Sequence, residues 1–159
     1  MLVGGLVLAA TSREGRAAIS AIGDRVVAFA RSQRGVPYSF GGGNYYGPTP
    51  GLENPTVGYD CSGLSSYAVF NASNGKVKLP RTAQEQFAGG SPVATSELRA
   101  GDLLFFDTDG NGGAGHVGVY DGHGGMVHAP HTGTSVQEQP NVFDNTYWAP
   151  KFLGARRYS

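Results

Sequence analysis

Cys61 is the only cysteine in the chain, and its immediate neighbours favour a reactive role for its thiol. In the segment GYDCSGLSSY (58–67), Asp60 precedes the cysteine, and the small residues Ser62 and Gly63 follow it. A single thiol cannot form a disulfide within its own chain. Cys61 is therefore a small buried hydrophobic side chain, a residue present by chance, or a reactive nucleophile. Its small neighbours would leave it accessible to a substrate.

The residues that follow Cys61 have helical spacing. Leu64, Tyr67 and Ala68 share one helical face, and Asn74-Gly75 is a good C-terminal stop. Cys61 is thus predicted to lie in the first turn of a helix. The positive end of the helix dipole would lower the pKa of a thiol there. Position alone does not decide between these interpretations of Cys61.

A nucleophilic thiol needs a general base within hydrogen-bond reach, and the chain has four histidines. His116 and His128 fall in two successive strand-like segments, HVGVYD and GMVHAP. His123 lies in the turn DGHGG between them and His131 follows a proline in a loop, so we interpret both as surface residues outside the site. Two histidines on adjacent strands favour the reactive interpretation of Cys61.

The connection between these strands decides whether the two histidines can meet. In an antiparallel hairpin, directly opposed residues project from the same face, and a slip of one residue reverses every side chain. We predict a connection with an odd number of residues, such as Tyr120 to Gly124, or a bulge. His116 and His128 would then be directly opposed, and His128 could orient the His116 ring as the third member of a triad does.

A zinc site is the competing use of histidines. Zinc would need three or four ligands at compact spacing, such as CxxC or HxxxH. His123 and His128 are five residues apart but fall in a turn and a strand, and the chain has one cysteine. We therefore expect neither a metal nor another cofactor.

The elements that must position these residues form an α+β pattern. A helix over 17–34 is predicted from an apolar stripe of Ile19, Ile22, Val26, Phe29 and Ala30. A long Gly-, Pro- and Tyr-rich loop (36–58) precedes the cysteine helix, and a short helix or turn follows within LPRTAQEQFAGG. The predicted strands come last in the chain: 102–107, 116–121, 125–130 and KFLGARRY (151–158). This order favours helices packed on an antiparallel sheet.

Length and charge narrow the class of protein. The 159 residues fit one domain, and 12 Lys plus Arg residues balance 12 Asp plus Glu, so nothing indicates a nucleic-acid partner. The apolar run at the N-terminus is too short for a transmembrane span, which needs roughly 20 residues. Residues 1–16 fit either a signal peptide ending near Ala9, although no basic residue precedes the run, or a helix or linker from a longer parent protein. We place the domain at 17–159.

The blocks GVPYSFGGG, YDCSGL, LPRTAQEQ, AGDLLFF, GHVGVY and MVHAP occur in an order that resembles the NlpC family of bacterial cysteine peptidases, from about Asp24 to the C-terminus. The resemblance implies a papain-like core and hydrolysis of cell-wall peptidoglycan, outside the cytoplasm. The implied substrate is the stem peptide, cut between D-glutamate and the diamino acid. We expect a monomer that needs no cofactor, targeted by a longer parent protein or by a delivery system.

The resemblance also implies roles for individual residues. Cys61 matches the nucleophile, His116 the general base and His128 the orienting residue. Those expected to bind substrate are Tyr38, Asp60, Ser62 and Arg81. Asp60 would help to hold a free amino end of the peptide, and Asp102, in another family block, is interpreted as structural.

The chain departs from the family in an insertion-like run, 44–58, which contains three prolines. It could form a wall or lid of the cleft. Three alternatives to the peptidase remain: an amidase or acyltransferase of the same fold, a non-catalytic domain that binds the cell wall, and a plain α+β domain with a buried, unreactive cysteine.

Overall fold

The computed structural model describes residues 13–159, and in this range three α-helices accompany a six-stranded antiparallel sheet. The helices are α1 (Arg13–Ser32), α2 (Cys61–Ala72) and the shorter α3 (Ala83–Ala88). The sheet strands are β3 (Ser91–Val93), β4 (Leu103–Phe106), β5 (His116–Tyr120), β6 (Met126–His128), β7 (Gln137–Gln139) and β8 (Phe152–Arg157). Their order across the sheet is β3-β8-β4-β5-β6-β7. The prediction of an α+β fold is confirmed.

The core lies on both faces of the sheet. Strand β4 is buried throughout: Leu103 and Phe105 face α1 and α2, whereas Leu104 and Phe106 face a second apolar cluster that includes Trp148. Strict alternation of side chains along a strand produces this division. A continuous apolar run such as LLFF is what a strand covered on both faces requires.

Helix α1 packs on α2 through Ile22, Val26, Phe29 and Ala30, of which Val26 and Ala30 are fully buried. Its described part spans Arg13–Ser32, so it includes residues before the predicted start at Ala17 and ends before the predicted end at Arg34. Residues 1–12 of the predicted N-terminal segment 1–16 lie outside the described residues, so the domain boundary at 17 stays a prediction.

The predicted loop over 36–58 is wrong in part, because it contains a separate hairpin of β1 (Thr49–Gly51) and β2 (Asn54–Gly58). Thr49 pairs with Gly58, and Pro50 pairs with Val57. Glycine and proline in both strands conceal the alternation that normally reveals a strand. Strands β3 and β7 were also not predicted, since both are three-residue edge strands with mainly polar or exposed residues.

Candidate functional site

The sequence around Cys61 builds a capped helix start. Asp60 is the N-cap of α2, with an extended backbone, and its Oδ1 accepts the N–H of Gly63 at 2.8 Å. Gly63 is required here because a Cβ would collide with the carbonyl oxygen of Gly42. The loop before the hairpin can therefore lie directly against the first turn of α2, beside Cys61.

The two strand histidines meet. Nε2 of His116 lies 2.8 Å from Nδ1 of His128, and each residue is 3% exposed. The connection between β5 and β6 is 121–125, an odd number of residues, which confirms that part of the prediction. Direct opposition is wrong, because Val119 pairs with Val127 and this register puts His128 diagonal to His116. Diagonal neighbours share a face and remain within reach of long side chains.

Burial sets the protonation of this pair. Desolvation, and then the neighbouring His128, lower the pKa of His116 well below its usual value. Desolvation lowers the pKa of His128 to about 4, with His131 adding to the effect. Near neutral pH both imidazoles are uncharged, so one ring nitrogen of the pair donates the hydrogen bond and the other accepts it.

Burial also opposes ionisation of the thiol. Desolvation and then the Asp60 carboxylate raise the pKa of Cys61 to about 12, although the N–H groups of Val117 and Ser62 bond to the sulfur. The predicted lowering of the thiol pKa is therefore wrong, because desolvation and the Asp60 carboxylate outweigh the effect of those N–H groups. The raised pKa of the thiol and the lowered pKa values of both imidazoles favour the uncharged form of all three groups near neutral pH.

An ion pair lies on the other side of Cys61. Arg81 donates to both carboxylate oxygens of Asp60, at 3.0 and 3.1 Å, and to Oγ of Ser62 at 2.8 Å. It also donates to the carbonyl of Gly42 at 3.1 Å, which ties the loop to the helix start. A two-point Arg–carboxylate contact of this kind fixes orientation as well as charge.

Two cavities flank Cys61 and share Tyr38 and Gly115 in their walls. The histidine-side cavity, about 570 Å³, is also lined by His116, His128, His131, Tyr147 and Trp148. The arginine-side cavity, about 410 Å³, is also lined by Asp60, Ser62, Arg81, Phe40 and Leu52. Burial and the nearby Cys61 raise the pKa of Tyr38 to about 12, so its hydroxyl stays protonated.

The structure brings all seven predicted residues into this one cleft: Tyr38, Asp60, Cys61, Ser62, Arg81, His116 and His128. His123 is exposed in the turn, as predicted. His131 lines the histidine-side cavity, so its placement outside the site was wrong. Asp102 lies outside both cavity walls and pairs with Arg157, in agreement with a structural role.

Trp148 is a site residue that the sequence interpretation missed. Its ring lies 4.9 Å from the His116 ring and 5.3 Å from the His128 ring, between centroids, and the residue is 9% exposed. The Asn145 side chain fixes the backbone of Trp148, because its Oδ1 accepts the Trp148 backbone N–H at 2.9 Å. The one available signal was that Trp148 is the only tryptophan in the chain.

Within residues 13–159, no group of three or more His, Cys, Asp or Glu side chains is placed to hold a metal ion. Over the same described range, no helix is both long and apolar enough to cross a membrane.

The fold and cleft define an α+β domain with a cysteine and two histidines around one cavity, and residues 35–157 match the NlpC/P60 family. The chain belongs to this family. It is 40% identical over 127 residues to Murein DD-endopeptidase MepH of Escherichia coli, which covers 79% of this chain and 42% of the relative. It is 35% identical over 133 residues to the Gamma-DL-glutamyl hydrolase of Bacillus subtilis, covering 84% of this chain and 29% of the relative. The chain therefore spans less than half the length of either relative.

Two solved structures from Mycobacterium tuberculosis show the same fold. The peptidoglycan hydrolase RipB superposes with a TM-score of 0.72 and 36% identity, over 99% of this chain and 73% of that chain. RipD, described as a non-catalytic NlpC/p60 domain protein adapted to peptidoglycan binding, gives a TM-score of 0.69 and 36% identity. That match covers 86% of this chain and 96% of RipD.

Proposed function

We propose that this domain is a cysteine peptidase that hydrolyses the stem peptide of bacterial peptidoglycan. The observation that carries the proposal is the placement of Cys61, at the start of α2, in one cavity with the hydrogen-bonded pair His116 and His128. Family membership and the relatives named as cell-wall endopeptidases support the substrate class.

The chemistry begins from the neutral thiol. Because the pKa of Cys61 is raised, the thiol proton must leave as the sulfur attacks the amide carbonyl. Nε2 of His116 is engaged by His128, which leaves Nδ1 of His116 to accept that proton. The backbone N–H of Cys61 stabilises the oxyanion.

His116 then completes the cycle. The imidazolium gives its proton to the leaving amine, and the carbon–nitrogen bond breaks to form an acyl-enzyme on Cys61. His116 next removes a proton from water, which attacks the thioester, and the thiol is restored as the acid product leaves. His128 acts as a positioning residue, since its hydrogen bond fixes the His116 ring.

For the bond cleaved, we propose the amide between D-glutamate and the diamino acid. The Bacillus subtilis relative, named for γ-glutamyl hydrolysis, supports this choice. The Escherichia coli relative is named a DD-endopeptidase, so cleavage at a D,D-bond of the cross-link is the second candidate. Action on the cell wall implies a place outside the cytoplasmic membrane, in the periplasm or beyond, and we propose a monomer.

Two other functions are compatible with the fold. An amidase or acyltransferase would use the same cysteine and histidines on a different amide or ester. A wall-binding domain is the role described for RipD. The described cleft of this chain contains a thiol and a paired base, which a binding domain does not require.

Digestion of purified sacculi, followed by mass spectrometry of the released fragments, tests the proposal. The wild type should release peptides with a new amino end on the diamino acid, and Cys61→Ala and His116→Ala should release none. His123→Ala is the matched control, because that histidine is exposed in the turn, and it should retain full activity. Release of fragments by Cys61→Ala at the wild-type rate would exclude a cysteine peptidase.

A further inference from the structure

The arginine-side cavity would hold the acyl part of the substrate in the proposed reaction. This inference rests on that proposed function. His116 must reach the leaving amine to protonate it. The leaving group therefore lies in the histidine-side cavity, and the acyl part of the substrate extends from Cys61 into the arginine-side cavity.

Asp60 has no accepting position left for a substrate cation. Its Oδ1 accepts the N–H of Gly63 at 2.8 Å, Arg81 at 3.0 Å and, more weakly, the Ser62 hydroxyl at 3.3 Å. Its Oδ2 accepts the N–H of Gly41 at 3.1 Å and Arg81 at 3.1 Å. A carboxylate offers about four lone-pair sites, and these contacts fill them. A substrate ammonium would have to displace one of these donors and lie beside the Arg81 guanidinium, which carries the same charge.

The outer wall of this cavity is apolar. Phe40 is 60% exposed and Leu52 is 66% exposed, and both line the cavity. The N–H of Leu52 donates to the carbonyl of Phe40 at 2.8 Å, so the hairpin holds the two side chains together. Covering exposed apolar area of this kind with an uncharged group of the substrate lowers the free energy of binding.

We propose that the arginine-side cavity selects acyl segments whose terminal nitrogen is already acylated, as in a stem peptide still joined to its glycan strand. Phe40 and Leu52 cover the uncharged end, and Asp60 positions Arg81 rather than binding an ammonium. The insertion-like run 44–58 thus supplies a determinant of substrate choice through Leu52. This differs from the role of Asp60 that the family resemblance implies.

A matched pair of stem peptides tests the inference, one with a free amino end and one with an acetylated end. Wild type should show a kcat/KM about tenfold higher for the acetylated peptide, a ratio typical of one well-placed apolar group. Leu52→Asn and Phe40→Asn should remove most of this preference by raising KM for the acetylated peptide. Val57→Asn and Tyr46→Asn are controls, because these exposed residues of the same segment lie outside the cavity wall, and they should keep the preference.

Equal or better turnover of the free-amine peptide would overturn the inference, as would Leu52 and Phe40 variants that behave like the controls. Failure to cleave either peptide, while sacculi are digested, would also overturn it, since the cavity would not then accept the acetylated end. Failure of wild type on sacculi contradicts the proposed function itself, so the two failures are distinguishable.

Discussion

Nε2 of His116 and Nδ1 of His128 lie 2.8 Å apart in a buried hydrogen bond between two strands. Both rings are uncharged near neutral pH, because burial lowers the pKa of each. His128 can therefore orient His116 without adding a charge to the site, and the base is ready to accept a proton.

The neutral resting state predicts how Cys61 reacts with iodoacetamide. Because the pKa of the thiol is raised to about 12, the alkylation rate should climb steadily with pH above neutrality. The measurement is the rate of alkylation across pH, followed by intact mass. A plateau extending through neutral pH would instead indicate a stable thiolate–imidazolium pair and contradict this account.

Replacing His128 should lower kcat and leave KM nearly unchanged. His128→Ala removes the group that fixes the His116 ring, and we expect kcat to fall by about a hundredfold, within the range of general-base catalysis. His128→Gln can still form a hydrogen bond and should recover a substantial part of the loss. Steady-state kinetics on a synthetic stem peptide would check this, and an equal loss in both variants would rule out a positioning role.

Replacing Trp148 should change the pH dependence of activity. The indole lies on both histidine rings, so Trp148→Ala would admit water and raise the pKa of His116 toward its usual value. The acidic limb of the kcat/KM profile should move to higher pH, and Trp148→Phe should move it less. Phe143→Ala is the control, because its ring packs on Tyr120 and Phe152 in the same apolar cluster, and an equal shift in that variant would contradict a specific effect.

Stability should fall as the pH is lowered from 6.5 to about 4. In this window the unfolded chain protonates His128 at its usual pKa of 6.5, whereas the folded chain does so only near 4. The unfolded state therefore binds more protons, and His128 alone should lower the free energy of unfolding by about 3 kcal/mol. His116, whose pKa is also lowered, should add to this drop. Urea titrations across this range would measure the drop, and His128→Gln should show a smaller one; equal curves would exclude His128 as the source.

Asp102 should be needed for stability and not for chemistry. It is buried and receives two contacts from Arg157, at 2.7 and 2.8 Å, as well as the N–H of Arg99. Asp102→Ala should cost about 3 kcal/mol of unfolding free energy, the low end for breaking a buried pair. Per folded molecule, kcat should be unchanged, and a large fall in kcat at full folding would show that Asp102 belongs to the site.

Structural features with local causes could be predicted from the sequence. The helix start at Cys61 follows from helical spacing, and the shared face of His116 and His128 follows from strand alternation. The exact pairing depends on where the turn lies, which no single residue of DGHGG determines. Trp148 was missed because it comes from an irregular segment far from either histidine in sequence. The direction of the thiol pKa depends on how much water tertiary packing removes, and local sequence does not report this.

Trapping of the acyl-enzyme is the most direct test of Cys61 as the nucleophile. Wild-type protein is mixed with a stem peptide, quenched in acid within the first turnover, digested and mapped by mass spectrometry. The account predicts an adduct with the mass of the acyl fragment on the peptide that contains Cys61, and none in Cys61→Ala. Rapid hydrolysis by wild type without such an adduct, together with an active Cys61→Ala, would contradict it.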